Sequence, residues 1–277
     1  MVDIILCTYN SENTIQECIN SILNQSYKHF NLYIFDDKST DKTVKLIKEF
    51  NDERIKLVIS SKNVGTYAGK NFILKNLCKS KYIALHDSDD ISLPNRLKDQ
   101  LDYMVLNKVR CTGTAVYEFF EDHTPHTLSE HDILNNERIN IYPSKIDKKI
   151  LPKVISALQE NYPDYLDLKF CMNGTCMFEK SLLNELGGWD GNTRIAADTD
   201  IFLRILGKYE IHNLKTPLYK RRFHKTSLTA AKEYGIKSNI RKNYNLKRLD
   251  VAIQSLKGHP PVRDFYYPKS NYILCVE

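Results

Sequence analysis

The stretch Tyr82 to Asp90, YIALHDSDD, decides the fold. It is an apolar run of strand length that passes through His86 into Asp87, Ser88, Asp89 and Asp90, and such a run ending in polar residues reads as a buried strand with its turn. Three earlier runs share its form: DIILC at 3–7, LYIFD at 32–36 and IKLVI at 55–59. Between them the apolar residues fall at helical spacing. Ile15, Cys18, Ile19, Ile22 and Leu23 follow i, i+3, i+4, i+7, i+8, with Ser11 placed to act as N-cap. Val44, Ile47 and Phe50 continue a second helix after Asp41, and Phe72, Leu74 and Leu77 belong to a third. Strand and helix alternating in this way predict an α/β fold, a mainly parallel Rossmann-like sheet flanked by helices on both faces.

In such sheets ligands gather beyond the carboxyl ends of the strands. The residues at those ends are Thr8-Tyr9-Asn10, Asp36-Asp37-Lys38-Ser39, Ser61-Lys62-Asn63-Val64-Gly65 and Asp87-Ser88-Asp89-Asp90, all polar and two of the sets acidic. Pro94 then opens a helix whose apolar face is Leu97, Leu101, Met104 and Val105. From about 119 to 170 charges, prolines and histidines interrupt the pattern, apart from a helical piece at Val154 to Leu158, so this region reads as an insertion or lid. Regular structure resumes at Phe170 to Phe178. A short helix ends at Gly187-Gly188, Trp189-Asp190 follow, and a helix from about Asp198 to Leu206 turns Ile201, Phe202, Ile205 and Leu206 inward.

The 277 residues suffice for one large α/β domain or two small ones, and 42% hydrophobic with 27% charged residues excludes a disordered chain. The mean hydropathy of −0.44 agrees. No run approaches the ~18–20 apolar residues of a membrane span, and Met1 to Cys7 lack the layout of a secretory signal, so a soluble, cytoplasmic chain is expected. Seven cysteines form no Cys-x-x-Cys pair, which favours reduced, buried thiols over zinc or redox chemistry. The net charge of +6 is unevenly distributed. Residues 215–257 hold twelve Lys or Arg and two acids, a local +10, so the rest of the chain is net −4.

Several carboxylates in one turn repel one another, and a divalent cation at Asp87, Asp89 and Asp90 would offset that repulsion. An acidic turn capping the next helix is the competing reading. Asp36 and Asp37 can accept hydrogen bonds from a nucleotide base or ribose, or cap a helix together with Ser39, Thr40 and Asp41. Thr8-Tyr9-Asn10 offers an aromatic face for a base, or a packed tyrosine. The cluster Lys220-Arg221-Arg222-Phe223-His224-Lys225 follows an expected strand. Its arginines match phosphate oxygens and its histidine can bind a metal, though a solvated basic loop has the same composition. Trp189 suits either an acceptor-binding wall or a packed turn. Asn173-Gly174-Thr175 matches a glycosylation sequon, which a cytosolic chain would leave unmodified. Ile240, Tyr244, Leu246, Leu249, Ile253 and Leu256, set among basic residues of 236–256, describe an amphipathic helix for an anionic membrane surface, a second subunit, or the body of the domain.

In order, DIILCTYN, FDDKSTDKT, NVGTYAGKN, LHDSDDISLPNRL, NGTCMFEKSLLNELGGWD, AADTDIFLRI and YKRRFHKTSLT resemble the family 2 glycosyltransferases with the GT-A fold. The resemblance covers about residues 2–230 and is weak at 119–170. It implies a GT-A domain over 1–230, with a nucleotide-binding part at about 1–110 and an acceptor part at about 111–230, followed by a basic amphipathic extension over 231–277. By the same resemblance Tyr9 and Asp37 contact the nucleotide base with Thr8, Asn10 and Asp36 nearby. Asp87 and Asp89 hold the diphosphate through Mn²⁺ or Mg²⁺ with Asp90 adjoining, and His224 and Arg222 close over that metal and diphosphate. Asp198 is the implied general base. Ala197 stands where many members carry an acid, so Asp200 competes for the role. The expectation is metal-dependent, inverting transfer from a nucleotide-diphosphate sugar, with uridine as the favoured base. The acceptor is a glycan or lipid-linked hydroxyl in surface polysaccharide biosynthesis, and residues 231–257 could make a peripheral membrane contact or a homodimer. A nucleotidyltransferase would instead place a glycine- and lysine-rich phosphate loop where Thr8-Tyr9-Asn10 stands. A nucleic-acid-binding protein using 215–257 would leave the ordered carboxylates unexplained, so no nucleic acid partner is expected.

Overall fold

The computed structural model describes residues 1–120, 137–160, 170–224, 239–267 and 272–275. Four parallel strands form its centre: β1 (Val2–Thr8), β2 (Phe30–Asp36), β3 (Ile55–Ser60) and β4 (Tyr82–Asp87). They correspond to the four expected runs. The helices between them are α1 (Ile15–Leu23), α2 (Thr43–Lys48) and α3 (Thr66–Asn76), and α4 (Arg96–Asn107) follows the short strand β5 (Ile91–Ser92). Side chains alternate across a strand, so β1 sends Ile5 to one core and Val2, Ile4 and Leu6 to the other. The first core lies against α3, and the second is filled by Ile15, Ile19 and Ile22 of α1 and Leu97 and Met104 of α4.

The remaining elements are β6 (Cys111–Phe120), β7 (Glu137–Asn140), β8 (Lys145–Ile146), α5 (Leu151–Gln159), β9 (Met177–Glu179), α6 (Lys180–Leu186), α7 (Ala197–Leu206), β10 (Ile211–Phe223), α8 (Asn239–Leu256) and β11 (Tyr272–Cys275). The sheet runs β11-β3-β2-β1-β4-β9-β6-β10-β5, with β7 beside β6 and β8 beside β10. Because β9 is antiparallel to both β4 and β6, and β6 is parallel to β10, the strands β4, β6 and β10 all point the same way. Their carboxyl ends therefore share one edge with those of β1, β2 and β3.

Several sequence expectations are corrected here. Ser11 does not cap α1: the N-cap is Thr14, and Ser11 contributes its carbonyl to Ile15 N–H at 2.9 Å. Val105 is exposed rather than part of the inward face of α4. Within 119–170, β7 and β8 pair with the sheet and α5, which contains the helical piece expected at Val154 to Leu158, packs on the core. The basic run at 220–223 lies inside β10 instead of following a strand. In α8 the periodic apolar set is buried only in part: Leu249 and Leu256 pack against the core and Leu246 is exposed, while Val251, Ala252 and Ser255 supply the most buried positions. That helix packs against α5 and α7, and β11 pairs antiparallel with β3, Tyr272 opposite Ser60. Residues 161–169, 225–238 and part of the expected insertion lie outside the described residues. Among those described, no helix is long and apolar enough to cross a membrane, and Cys7, Cys18, Cys78, Cys111, Cys171 and Cys176 are free thiols.

Candidate active site

The polar residues that end β1, β2 and β4 meet along the shared carboxyl edge. Register pairs Thr8 with Asp36 and Cys7 with Asp87. Tyr9 stands 50% exposed just beyond β1. Asn10 adopts a left-handed backbone, φ 50°, and ties this loop to the next one. Its N–H donates to Ser39 Oγ at 2.9 Å, and its Oδ1 accepts from Thr40 N–H at 2.8 Å. Behind them Asp37 is buried, and its two oxygens accept backbone N–H bonds from Val64 at 2.6 Å and Gly65 at 2.8 Å. Gly65 presents that N–H at φ 94°, a conformation side chains disfavour. Burial pushes the Asp37 carboxyl up, against the pull of those two N–H groups and the Arg194 charge. Asp36 accepts from Ser39 N–H at 3.0 Å, and its other oxygen and Thr8 Oγ1 are buried with no hydrogen-bond partner among the described residues.

At the end of β4 the acidic turn is braced from several directions. Ser88 pairs with Ser11 Oγ at 3.0 Å and accepts from Thr14 Oγ1 at 3.0 Å, fixing the turn to the start of α1. Asp90 is buried and accepts from Arg222 N–H at 2.8 Å, while burial drives its carboxyl well above the ordinary range. Burial also raises Asp87, and the Lys70 ammonium opposes this. Asp89 turns outward and its Oδ2 lies 2.9 Å from His224 Nε2 at the end of β10. Strand β5 makes this possible by pairing with β10 at Tyr219 and Lys220, which draws the turn and the histidine together.

Arg222 sits beneath this turn. Its Nε donates to Asp89 O at 2.7 Å, its guanidinium pairs with Glu17, and it lies 4.7 Å from the centre of the Phe119 ring. Gly174, in the turn before β9, explains how tightly Asp87 is held: a Cβ there would stand 2.6 Å from both Asp87 Oδ2 and Tyr219 Oη. The buried Arg96 fixes that turn by donating to Gly174 O at 2.9 Å and Leu85 O at 2.6 Å.

The two candidate bases have different surroundings. Asp198, half-buried in the first turn of α7, accepts from Thr199 N–H through Oδ1 at 2.8 Å. Asp200 is buried and gives one oxygen to Arg204 at 2.7 Å and the other to Arg263 at 2.7 Å. Trp189 is fully buried, edge-on to Phe178, within the packed core. The edge therefore gathers Tyr9, Asn10, Asp37, Asp87, Asp89 and His224, with Thr8, Asp36, Asp90 and Arg222 supporting them from below.

Sequence reasoning gave no role in the site to Lys70, Tyr67, Arg194, Gly174 or Tyr219. A lysine on the buried side of an amphipathic helix was the available signal for Lys70, which is 2% exposed. The others depend on contacts between distant segments. As a cation site, Asp89 and His224 supply a carboxylate oxygen and an imidazole nitrogen, a donor pair suited to Mn²⁺ or Mg²⁺ completed by phosphate oxygens and water. Among the described residues no group of three or more ligating side chains gathers.

The profile of glycosyl transferase family 2 matches residues 3–187. The Bacillus subtilis (strain 168) protein EpsE, described as a glycosyltransferase, is 31% identical over 228 residues, 80% of this chain and 72% of EpsE. The Escherichia coli protein WfgD, named a UDP-Glc:α-D-GlcNAc-diphosphoundecaprenol β-1,3-glucosyltransferase, is 32% identical over 54% of this chain and 62% of its own length. Among solved structures, S. aureus TarS 1–349 in complex with UDP-GlcNAc superposes with a TM-score of 0.66 at 17% identity, covering 91% of this chain and 66% of that one. The mannosyltransferase PcManGT from Pyrobaculum calidifontis, with GDP-Man and Mn²⁺, gives 0.54 at 16% identity over 93% of this chain and 72% of that one. A profile matched over more than half the sequence, on a fold shared with these enzymes, places the chain in glycosyl transferase family 2.

Proposed function

We propose that the protein transfers a sugar, with inversion, from a nucleotide-diphosphate donor, a UDP-sugar, to a hydroxyl of a lipid-linked or glycan acceptor in surface polysaccharide assembly. The observation that carries this reading is the Asp89–His224 pair on the same strand edge as Tyr9 and Asp37. The names of WfgD and of the TarS complex support a UDP-sugar and a lipid-linked acceptor. Residues 1–110 form the donor half and 111–230 the acceptor half.

Tyr9 stacks on the base and Asp37 accepts from its edge, exchanging part of its bonding to Val64 and Gly65. Asp89 and His224 hold a Mn²⁺ or Mg²⁺ ion, with Asp87 behind them. That ion supplies charge neutralisation for the leaving diphosphate. Lys70, with its stem buried, adds a fixed positive charge near Asp87. Asp198 takes the acceptor proton: Thr199 N–H holds one oxygen, leaving the other for the hydroxyl, whereas both oxygens of Asp200 are engaged by arginines. As the hydroxyl oxygen bonds to the anomeric carbon, the bond to the β-phosphate oxygen breaks and the nucleoside diphosphate leaves with the electron pair. One displacement on one face inverts the configuration.

The test is UDP release from a panel of UDP-sugars with and without Mn²⁺. Release dependent on Mn²⁺, reduced roughly 10²–10⁴-fold in Asp198→Asn with UDP affinity retained, is the expected result. Pyrophosphate as the product, or wild-type turnover by Asp198→Asn, would refute the mechanism.

A further inference from the structure

The basic run at the end of β10 divides between two faces. Side chains alternate along a strand, and Arg222 turns beneath the acidic turn, where Glu17 and Asp89 O engage it. Arg221 belongs to the opposite face, together with Tyr219 two residues earlier. The Tyr219 hydroxyl accepts from Asp87 N–H at 3.2 Å, so this is the face of β10 that looks toward Asp87. Because β10 runs toward the carboxyl edge, Arg221 stands ~7 Å nearer that edge than the Tyr219 contact. Burial raises the Asp87 carboxyl, and the Arg221 charge, after that of Lys70, works against the rise.

Arg221 is part of a larger arrangement. Register places it opposite Glu118 of β6, and Glu118 lies opposite Arg138 of β7. Glu118 is only 1% exposed. Its Oε2 accepts from Arg138 Nε, while its Oε1 accepts from Asn140 Nδ2 at 3.2 Å and from Arg221 Nη1 at 3.4 Å. A carboxylate sealed this deeply needs a counter-charge, and one arginine would supply it. Two leave a surplus positive charge. The side chains of Arg138 and Arg221 are 38% and 28% exposed, and among the described residues each spends one N–H on Glu118. A guanidinium has several more, so both keep donors for a ligand. Glu118 thus clamps two planar forks of the kind that match phosphate oxygens. The donor diphosphate is already served by Asp89, His224 and the cation they hold, whereas β6, β7 and β10 belong to the acceptor half.

We propose that Arg138 and Arg221, clamped on Glu118, form a phosphate subsite for the acceptor: they hold a phosphate on the anomeric oxygen of the acceptor sugar while another hydroxyl of that sugar meets Asp198. This rests on the reading of a lipid-linked acceptor given above. It makes the phosphate part of what the enzyme recognises, so a plain glycoside is bound poorly.

The test measures by calorimetry the binding of GlcNAc-α-1-phosphate and of methyl α-GlcNAc, the sugar in the name of WfgD, to the full chain saturated with UDP and Mg²⁺. The proteins are the wild type, Arg138→Gln, Arg221→Gln and the charge-preserving Arg221→Lys. The wild type should prefer the phosphate by about tenfold or more, the range of a charge-assisted hydrogen bond. Each Gln variant should lose most of that preference with UDP affinity retained. Arg221→Lys keeps a charge beside Glu118 but not the fork, so it should lose several-fold, and it decides the matter where a Gln variant does not fold. Equal binding of the two probes by the wild type, or an unchanged preference in the variants, would overturn the proposal. So would a fall of UDP affinity in the variants, or displacement of UDP by the phosphate probe, since either outcome puts the arginines on the donor. Transfer from UDP-glucose and UDP-GlcNAc is read separately. Its absence puts the donor or the base reading at fault, while the binding preference still decides the subsite.

Discussion

Gly174 shows how much the site depends on the absence of a single carbon atom. Gly174→Ala would press a methyl group to 2.6 Å from Asp87 Oδ2 and Tyr219 Oη, and overpacking of this kind costs about 1–3 kcal/mol. The displacement falls on Asp87, so calorimetry should find Mn²⁺-dependent UDP binding weakened by about tenfold or more, with a modest drop in Tm. Tyr9 gives the opposite pattern. Half exposed and outside the core, it can be replaced in Tyr9→Ala with Tm unchanged while UDP affinity falls about tenfold, in line with about 1–3 kcal/mol for base stacking on an aromatic ring. Asp37, Asp87 and Asp89 could be picked out as candidates in the sequence because each stands at or within two residues of the end of a strand-like run, and the end of a parallel strand is where such a fold exposes polar groups. Arg222 and Trp189 were not legible in the same way. Composition does not reveal that a guanidinium will be spent on Glu17 and a carbonyl, or that an indole will be sealed against Phe178.

Among the elements, α7 carries most of the contrast between the two carboxylates. Arg204 is fully buried and joins Asp200 to the carbonyls of Leu186 at 2.7 Å and Gly188 at 2.7 Å, binding α7 to the end of α6. Arg204→Ala leaves a buried carboxylate and two carbonyls short of donors, a change expected to cost about 3 kcal/mol and to appear as a lowered urea midpoint. The sequence supplied the inward face of this helix correctly, as Ile201, Phe202, Ile205 and Leu206 are all buried. For α8 its stripe was right in part, with Leu249 and Leu256 on the core and Leu246 exposed. In that helix the packing partners α5 and α7 select Val251, Ala252 and Ser255, and periodicity alone has no information about where a partner helix will lie.

For the molecule as a whole, the charge division changes character once folded. Part of the basic excess at 215–257 is internal: Arg221 reaches Glu118 at 3.4 Å, Arg222 pairs with Glu17, and Arg248 is buried. The sequence could count these charges but not pair them. Ligand binding should be visible globally. Saturation with UDP and Mn²⁺ at about one hundred times Kd adds about 2.7 kcal/mol, which in a domain of this size raises Tm by on the order of 5 °C. Chelation with EDTA should remove most of that rise in thermal denaturation scans, and Asp89→Asn should show little of it at any metal concentration.

The strand β11 closes the sheet edge at β3 from more than two hundred residues further along the chain, Tyr272 against Ser60. During synthesis, IKLVIS at 55–60 is made early, and its outer hydrogen-bonding row waits for a partner translated more than two hundred residues later. Open edges of this kind template pairing between molecules. Ribosomal products that stop short of β11 would carry Asp37, Asp87, Asp89 and Asp198 and yet present an unguarded edge. Quality control of this protein would therefore act on the arrival of β11 more than on assembly of the carboxyl edge.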